Sequence, residues 1–251
     1  MRVAAIYDIH ANLPALEAVL QDVRQAEVDH IVVGGDVLPG PMPRETIECL
    51  LQLEIPTRLS FIQGNGDRVV LAQMRGAESS EVPPQFREVI RWNAQQLHPE
   101  HEALLAAWPE TLSLEVPGLG EVLFCHATPR NDTEIFTRLT PEERLLPVFG
   151  GISAPVVVCG HTHMQFDRMV GNTRAVNAGS VGMPFQEPGA YWLLLGPGVQ
   201  LRRTAYDLAQ AAARIRSTKY PQAEDFAARN VLQPPSDQET LQALARVELK
   251  G

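Results

Sequence analysis

The chain has 251 residues, 45% hydrophobic and 20% charged, with 30 acidic against 21 basic side chains and a formal net charge of −9. This composition excludes collagen-like, coiled-coil and wholly disordered chains, and its acidic balance argues against a general nucleic-acid coat protein, which needs a cationic surface. The longest apolar runs, Pro155 to Cys159 and Tyr191 to Leu195, fall far short of the roughly 20 residues that cross a bilayer, so no membrane partner is expected.

Val3 to Tyr7 reads as a buried strand rather than a signal peptide, because Asp8 and His10 interrupt the apolar stretch and no cleavage pattern follows. Asn12 and Pro14 then open a helix with an apolar stripe through Leu16, Val19, Leu20 and Val23. His30 to Val33 is the next strand, Pro43 opens a helix through Leu53, and Leu59 to Ile62 is a third strand. This alternation is the mark of a layered α/β protein with a mainly parallel first half. Arg68 to Glu110 reads as largely helical, followed by strands at Leu112 to Val116 and Val122 to Cys125 around a Pro117-Gly118 turn. After mixed loop and helix from Thr128 to Gly151, short strands fall near Val156 to Cys159, Gln165 to Met169, Arg174 to Asn177, Tyr191 to Leu195 and Leu201 to Ala205. The second half is thus richer in antiparallel pairing. Two or three helices close the chain, giving a catalytic region at 1–205 and a helical extension at 206–251 that packs on the same domain or on a dimer partner. Three scattered cysteines, Cys49, Cys125 and Cys159, form no disulfide framework and point to a reducing, cytoplasmic location.

The chemistry gathers at strand ends. Asp8 and His10 follow the first strand, Asp36 the second, Asn65 the third, and His126, His161 and His163 follow two later ones. In an open α/β sheet, ligands bind at the carboxyl ends of the strands. The spacings Asp8-Ile9-His10 and His161-Thr162-His163 place both donors of each pair on one side of an extended chain. Mixed oxygen and nitrogen donors without thiolate suit Mn²⁺, Fe²⁺, Zn²⁺, Ni²⁺ or Co²⁺. His30, His98 and His101 lack this context and read as surface or helix residues. Ser180 has no G-x-S-x-G elbow, and the phrase Asn177 to Gly182 reads as a tight turn bringing backbone close to the metals. No H-x-H-x-D-H run and no P-loop lysine is present.

Asp8-Ile9-His10, Gly35-Asp36, Gly64-Asn65-Gly66-Asp67, His126 and Gly160-His161-Thr162-His163 together resemble the signature of the calcineurin-like metallophosphoesterases. Asn177 to Gly182 resembles a phrase of the small bacterial and archaeal YfcE-like phosphodiesterase branch. The resemblance implies a four-layer α/β/β/α sandwich of two mixed sheets flanked by helices. It also implies two divalent metal ions, Mn²⁺ favoured, the first held by Asp8, His10, Asp36 and His163 and the second by Asp36, Asn65, His126 and His161. A hydroxide bridging the ions would attack phosphorus in line, and the catalytic set carried over is Asp36, Asn65 and His126, with Asp67 in the place of an acidic partner.

The chain departs from that pattern where many members carry a His directly after the Asn, because Gly66 stands there. General acid assistance is worth about 10² to 10⁴-fold, so good leaving groups and a diesterase activity are expected. The stretch Val37 to Pro41 also lacks the Asp and Arg of many relatives, which leaves Asn12, Arg68 and Arg130 as candidates to touch substrate oxygens. The alternatives are a phosphomonoesterase of protein phosphatase type, or a metal-binding scaffold without turnover. An excess of Arg and Lys over Asp between residues 202 and 219 is modest for gripping nucleic acid, so a small phosphate ester is the expected partner, with a homodimer possible.

Overall fold

The computed structural model describes residues 1–53, 57–185 and 187–249. The first sheet contains β1 (Val3–Ile6), β2 (His30–Val33), β3 (Arg58–Phe61), β9 (Ala190–Leu195) and β10 (Val199–Thr204), in the order β10-β9-β1-β2-β3. The second contains β4 (Thr111–Val116), β5 (Gly120–Cys125), β6 (Val156–Cys159), β7 (Phe166–Val170) and β8 (Thr173–Asn177), in the order β4-β5-β6-β8-β7. Both sheets are mixed. β1-β2-β3 and β5-β6-β8 run parallel, and every antiparallel pair includes a strand that lies after residue 110.

Side chains alternate across a strand, so each inner strand feeds two cores. Ala4, Ile6, Ile31, Val33, Trp192 and Leu194 face the helices α1 (Leu13–Gln25), α2 (Pro43–Leu51), α3 (Asn65–Met74), α4 (Arg87–Gln96) and α5 (Pro99–Ala106). Val3, Ala5, Val32, Leu193 and Leu195 face the other way, onto Val122, Phe124, Val156, Val158 and Val176 of the second sheet. The outer face of that sheet, with Cys125, Val157, Cys159 and Ala175, is covered by Leu145, Val148 and Phe149 of α6 (Glu142–Phe149). Three cores separate four layers, the α/β/β/α order expected from the sequence.

The C-terminal segment joins this body. α7 (Leu208–Arg216) puts Ala211, Ala212 and Ile215 into the helix-side core of the first sheet. Phe226 of α8 (Ala223–Phe226) and Ala227 and Val231 of the π-helical turn that continues it enter the same core. Beyond α9 (Asp237–Leu244) the chain reaches the opposite flank, where Leu249 packs against the α6 core. Glu248, buried, accepts there from Thr137, Thr140 and Arg144. Among the described residues no helix is long and apolar enough to cross a membrane, and the three cysteines are free thiols.

Candidate metal centre

The first sheet delivers its polar residues at the carboxyl ends of β1, β2 and β3, and the second at the ends of β5 and β6. Asp8 and His10 leave β1 on a loop that Asp8 N–H to Gly35 O (3.1 Å) and His10 N–H to Asp36 O (2.9 Å) tie to the end of β2. Asp8, His10, Asp36, His161 and His163 all have φ between 46° and 63°. Such left-handed backbone costs a non-glycine residue about 1–3 kcal/mol and gathers where a site must aim side chains against local preference.

Two donor clusters result, Asp8 with His10 and His163, and Asp36 with His126 and His161. Backbone carbonyls fix the imidazoles. His10 Nδ1 faces Pro39 O (3.3 Å), His126 Nδ1 faces Gly34 O (3.0 Å) and His163 Nδ1 faces Met183 O (2.8 Å). A carbonyl only accepts, so each Nδ1 carries the proton and each Nε2 presents a bare lone pair to the centre. His10 Nε2 then lies 3.1 Å from His163 Nε2, and His126 Nε2 lies 3.1 Å from Asn65 Oδ1. Each contact sets acceptor against acceptor. Asp8 Oδ1 is buried without a hydrogen-bond partner, 3.3 Å from His163 Nε2. Asp36 lies between the sets, its Oδ2 3.7 Å from His10 Nε2 and its Oδ1 3.5 Å from His126 Nε2. Converging lone pairs with an orphaned carboxylate oxygen are what a pair of divalent cations would satisfy, so the residues fit the metals implied by the sequence.

Charge distribution supports the same fit. Burial pushes the imidazoles of His10 and His161 down to about 3, helped by His163 in the first case and His126 in the second, so both are neutral and able to ligate. For Asp8, burial acts upward, and positive charge beside it, at His163 first and then at His126 and His10, would hold the carboxyl down at about 2. Burial, and then the neighbouring Asp8, push Asp36 well above the usual carboxylate range. Two carboxylates cannot both ionise cheaply in this space without added positive charge.

The profile of the calcineurin-like phosphoesterase superfamily domain matches residues 1–195. The chain belongs to that superfamily. It is similar to a metallophosphoesterase from Sphaerobacter thermophilus, 28% identical with a TM-score of 0.69 over 92% of this chain and 99% of that one. The hypothetical protein PH1004 from Pyrococcus horikoshii OT3 shares the fold at a TM-score of 0.80 and 21% identity, over 94% of this chain and 99% of that one. The uncharacterized protein MJ0912 of Methanocaldococcus jannaschii is 28% identical over 241 residues, 88% of this chain and 94% of its own length.

Within this calcineurin-like centre, all seven ligand positions carried over from the family converge, but other expectations need correction. Asp67 is not placed to act on a substrate. It is fully buried, and its two oxygens accept from Leu38 N–H and Gly64 N–H, both 3.0 Å, so it splices the loop after β2 to the start of α3. Asn12 is likewise buried and its amide is spent. Oδ1 caps α1 through Ala15 N–H (3.3 Å) and Nδ2 donates to Gly182 O (3.0 Å). His30 is buried in β2 against Ser60 Oγ at 2.9 Å rather than superficial, whereas His101 lies in a helix as expected, buried in α5 and accepting from the His98 N–H. Arg68 and Arg130 do reach the centre's edge, where both line a cavity with His126.

Supports with no motif of their own complete the site. Ser180, not a nucleophile, donates to Asp8 O and accepts from Met183 N–H, both 2.7 Å, joining one ligand's backbone to the residue that orients His163. Asn177 Nδ2 bonds Gly160 O (2.6 Å) and Thr162 Oγ1 (3.0 Å), fixing the His161–His163 loop. Phe185 stacks on His163 with centroids 4.9 Å apart. Asn93 Oδ1 accepts from Gly40 N–H at 3.0 Å. The Asn177–Gly182 turn was visible in the sequence, whereas Phe185 and Asn93 act through contacts distant in the chain that no spacing announces.

Proposed function

We propose that the protein is a dinuclear, metal-dependent phosphodiesterase for a small phosphate ester. The observation that supports this best is the pair of acceptor-against-acceptor contacts, His10 with His163 and His126 with Asn65, beside the buried carboxylates of Asp8 and Asp36. Two divalent ions held there, Mn²⁺ by expectation, would supply positive charge to phosphate oxygens and acidify a water enough to attack at neutral pH. Asp36 stands between the two sets as the shared ligand, and the Pro39, Gly34 and Met183 carbonyls keep the three imidazoles in their ligating tautomer.

Two features favour a diester. A Cβ at Gly66 would lie 2.3 Å from Leu38 O and 2.9 Å from Asp36 Oδ1, so the place of a general acid is closed by backbone. The cations at the edge are already matched, Arg68 by Asp132 and Glu81 and Arg130 by Glu134. A monoanionic diester with a good leaving group suits such a site better than a dianionic monoester. Three of the five cations in the basic segment are similarly matched, Arg203 by Glu187, Arg214 by Glu17 and Arg216 by Glu224, which favours a small substrate over a polynucleotide. The free, buried thiols of Cys125 and Cys159 suit the cytoplasm.

The test is hydrolysis of bis-p-nitrophenyl phosphate and p-nitrophenyl phosphate by chelator-stripped protein given Mn²⁺. Faster diester turnover that is lost in Asp36→Ala supports the assignment. Equal or faster monoester turnover overturns the diester preference. Two bound metals with neither substrate cleaved would favour a metal-binding scaffold.

A further inference from the structure

A cavity of about 180 Å³ ends on His126, between α3 and the loop that follows β5. It is smaller than the roughly 300–1,000 Å³ of a complete small-molecule site, so it suits one arm of a substrate. Gln63, Arg68, Glu110, Thr111, Thr128 and Arg130 line it. Both guanidiniums are held in place. Arg68 gives Nε to Asp132 Oδ2 (2.7 Å) and Nη2 to Asp132 Oδ1 (3.1 Å) and Glu81 (2.9 Å). Arg130 gives Nε and Nη2 to Glu134, a buried carboxylate that also accepts from Thr128 Oγ1 at 2.8 Å.

These forks use the Nε and Nη2 edges, so each arginine keeps Nη1 with no partner among the described residues. Gln63 donates Nε2 to Leu105 O (2.9 Å), which leaves its Oε1 as an acceptor, and Glu110 adds a carboxylate. The lining therefore combines donors and acceptors, while its positive charges are already balanced. A further phosphate would find no unmatched cation there. A hydroxyl, which donates and accepts at once, matches both kinds of group.

We propose that this cavity receives the retained alcohol arm of the phosphodiester, and that the arm carries several hydroxyls, as a ribose or a glycerol does. Arg130 and Arg68 donate to it and Gln63 and Glu110 accept from it. The inference rests on the phosphodiesterase reading and names the substrate class for it.

The experiment compares p-nitrophenyl phosphodiesters that differ only in the second arm, ethyl, glyceryl or 5′-uridyl, on the full chain with Mn²⁺. Two or more added hydrogen bonds should raise kcat/KM about tenfold over the ethyl ester, mainly through KM. Thr111→Val should shrink that ratio while melting near the parent temperature, and Arg130→Met should shrink it further while melting lower, because the buried Glu134 loses its partner. A uridyl preference would identify a nucleoside source and a glyceryl preference a glycerol source. Equal kcat/KM for all three arms overturns the proposal and leaves the phosphodiesterase standing. Should no ester be cleaved, the enzyme reading fails, and calorimetric titration still decides the cavity. Glycerol 3-phosphate binding about tenfold tighter than inorganic phosphate, a gap lost in Arg130→Met, supports it, and equal affinities overturn it.

Discussion

Gly66 stands where the resemblance implies a His, and the structure gives the reason in ångströms. Its N–H donates to Asp36 Oδ1 at 2.7 Å, while Leu38 O occupies the space any side chain would need. Gly66→Ala should therefore cost about 1–3 kcal/mol by overpacking and lower metal content by pushing on the shared carboxylate. Gly66→His, which installs the residue the resemblance implies, should do the same and add no monoesterase activity. Thermal melts, metal analysis and p-nitrophenyl phosphate turnover check both variants. A Gly66→His chain that melts like the parent and gains monoester turnover would refute the argument. Ser180 is a second single-residue case. Its hydroxyl is fully buried between Asp8 O and Met183 N–H, so Ser180→Ala leaves the Met183 N–H unpaired, while Asp8 O keeps the Gly182 N–H at 3.0 Å, at a cost of about 1–3 kcal/mol. The expected signature is weaker retention of the ion held by Asp8, His10 and His163, read by equilibrium dialysis against Mn²⁺.

At the scale of elements, α4 takes part in the site without contributing a ligand. Asn93 donates Nδ2 to Val89 O one turn back, which fixes its rotamer, and accepts the N–H of Gly40. Gly40 presses on the His10 backbone, where an added Cβ would lie 1.7 Å from His10 O, and its neighbour Pro39 supplies the carbonyl that orients the His10 ring. Asn93→Ala should release this loop, costing about 1–3 kcal/mol and reducing bound Mn²⁺ per chain below that of the parent; unchanged stoichiometry and affinity would make Asn93 a purely structural residue. None of this was legible from the sequence, which marked residues 68–110 as helical without indicating what they cover. The strands were legible. β2 and β6 fall on the expected residues because each is a short β-branched run cut off by glycine, and β1 and β3 end within a residue of expectation because their apolar runs stop at Asp8 and at Gln63-Gly64. The convergence of the candidate ligands was legible too, since those residues follow strands directly. The start of α3 was missed by three residues because Asn65 is both a metal-ligand candidate and the first residue of that helix, and Gly64-Asn65-Gly66 reads locally as a loop.

At the scale of the whole molecule, the buried titratable groups make stability depend on pH in opposite senses with and without metal. His10 and His161 have folded pKa values of about 3, below the ordinary 6.5, through burial and their neighbouring histidines. The unfolded chain binds more protons between those values, so their contribution is present above 6.5 and lost as pH falls toward 3. Asp67 is raised from 3.8 to about 8 by burial and then by Asp36, and Asp36 is itself raised by burial and then by Asp8. Here the folded chain binds more protons, so the contribution is full below about 4 and is lost as pH rises through the folded values. From about 4 to 6.5 two groups of each kind oppose one another and the stripped protein should show a plateau. Above 6.5 only the carboxyls remain, and each lowers stability by up to about 1.4 kcal/mol per pH unit as the folded pKa is approached. Divalent cations reverse this, because they make ionised Asp36 the favoured form in the fold. The melting temperature of chelator-treated protein should fall between pH 6.5 and 8, and the rise on adding Mn²⁺ should be larger at pH 8 than at pH 6. A metal-induced rise that shrinks toward pH 8 would mean that the Asp8–Asp36 crowding is relieved by something other than a cation between them.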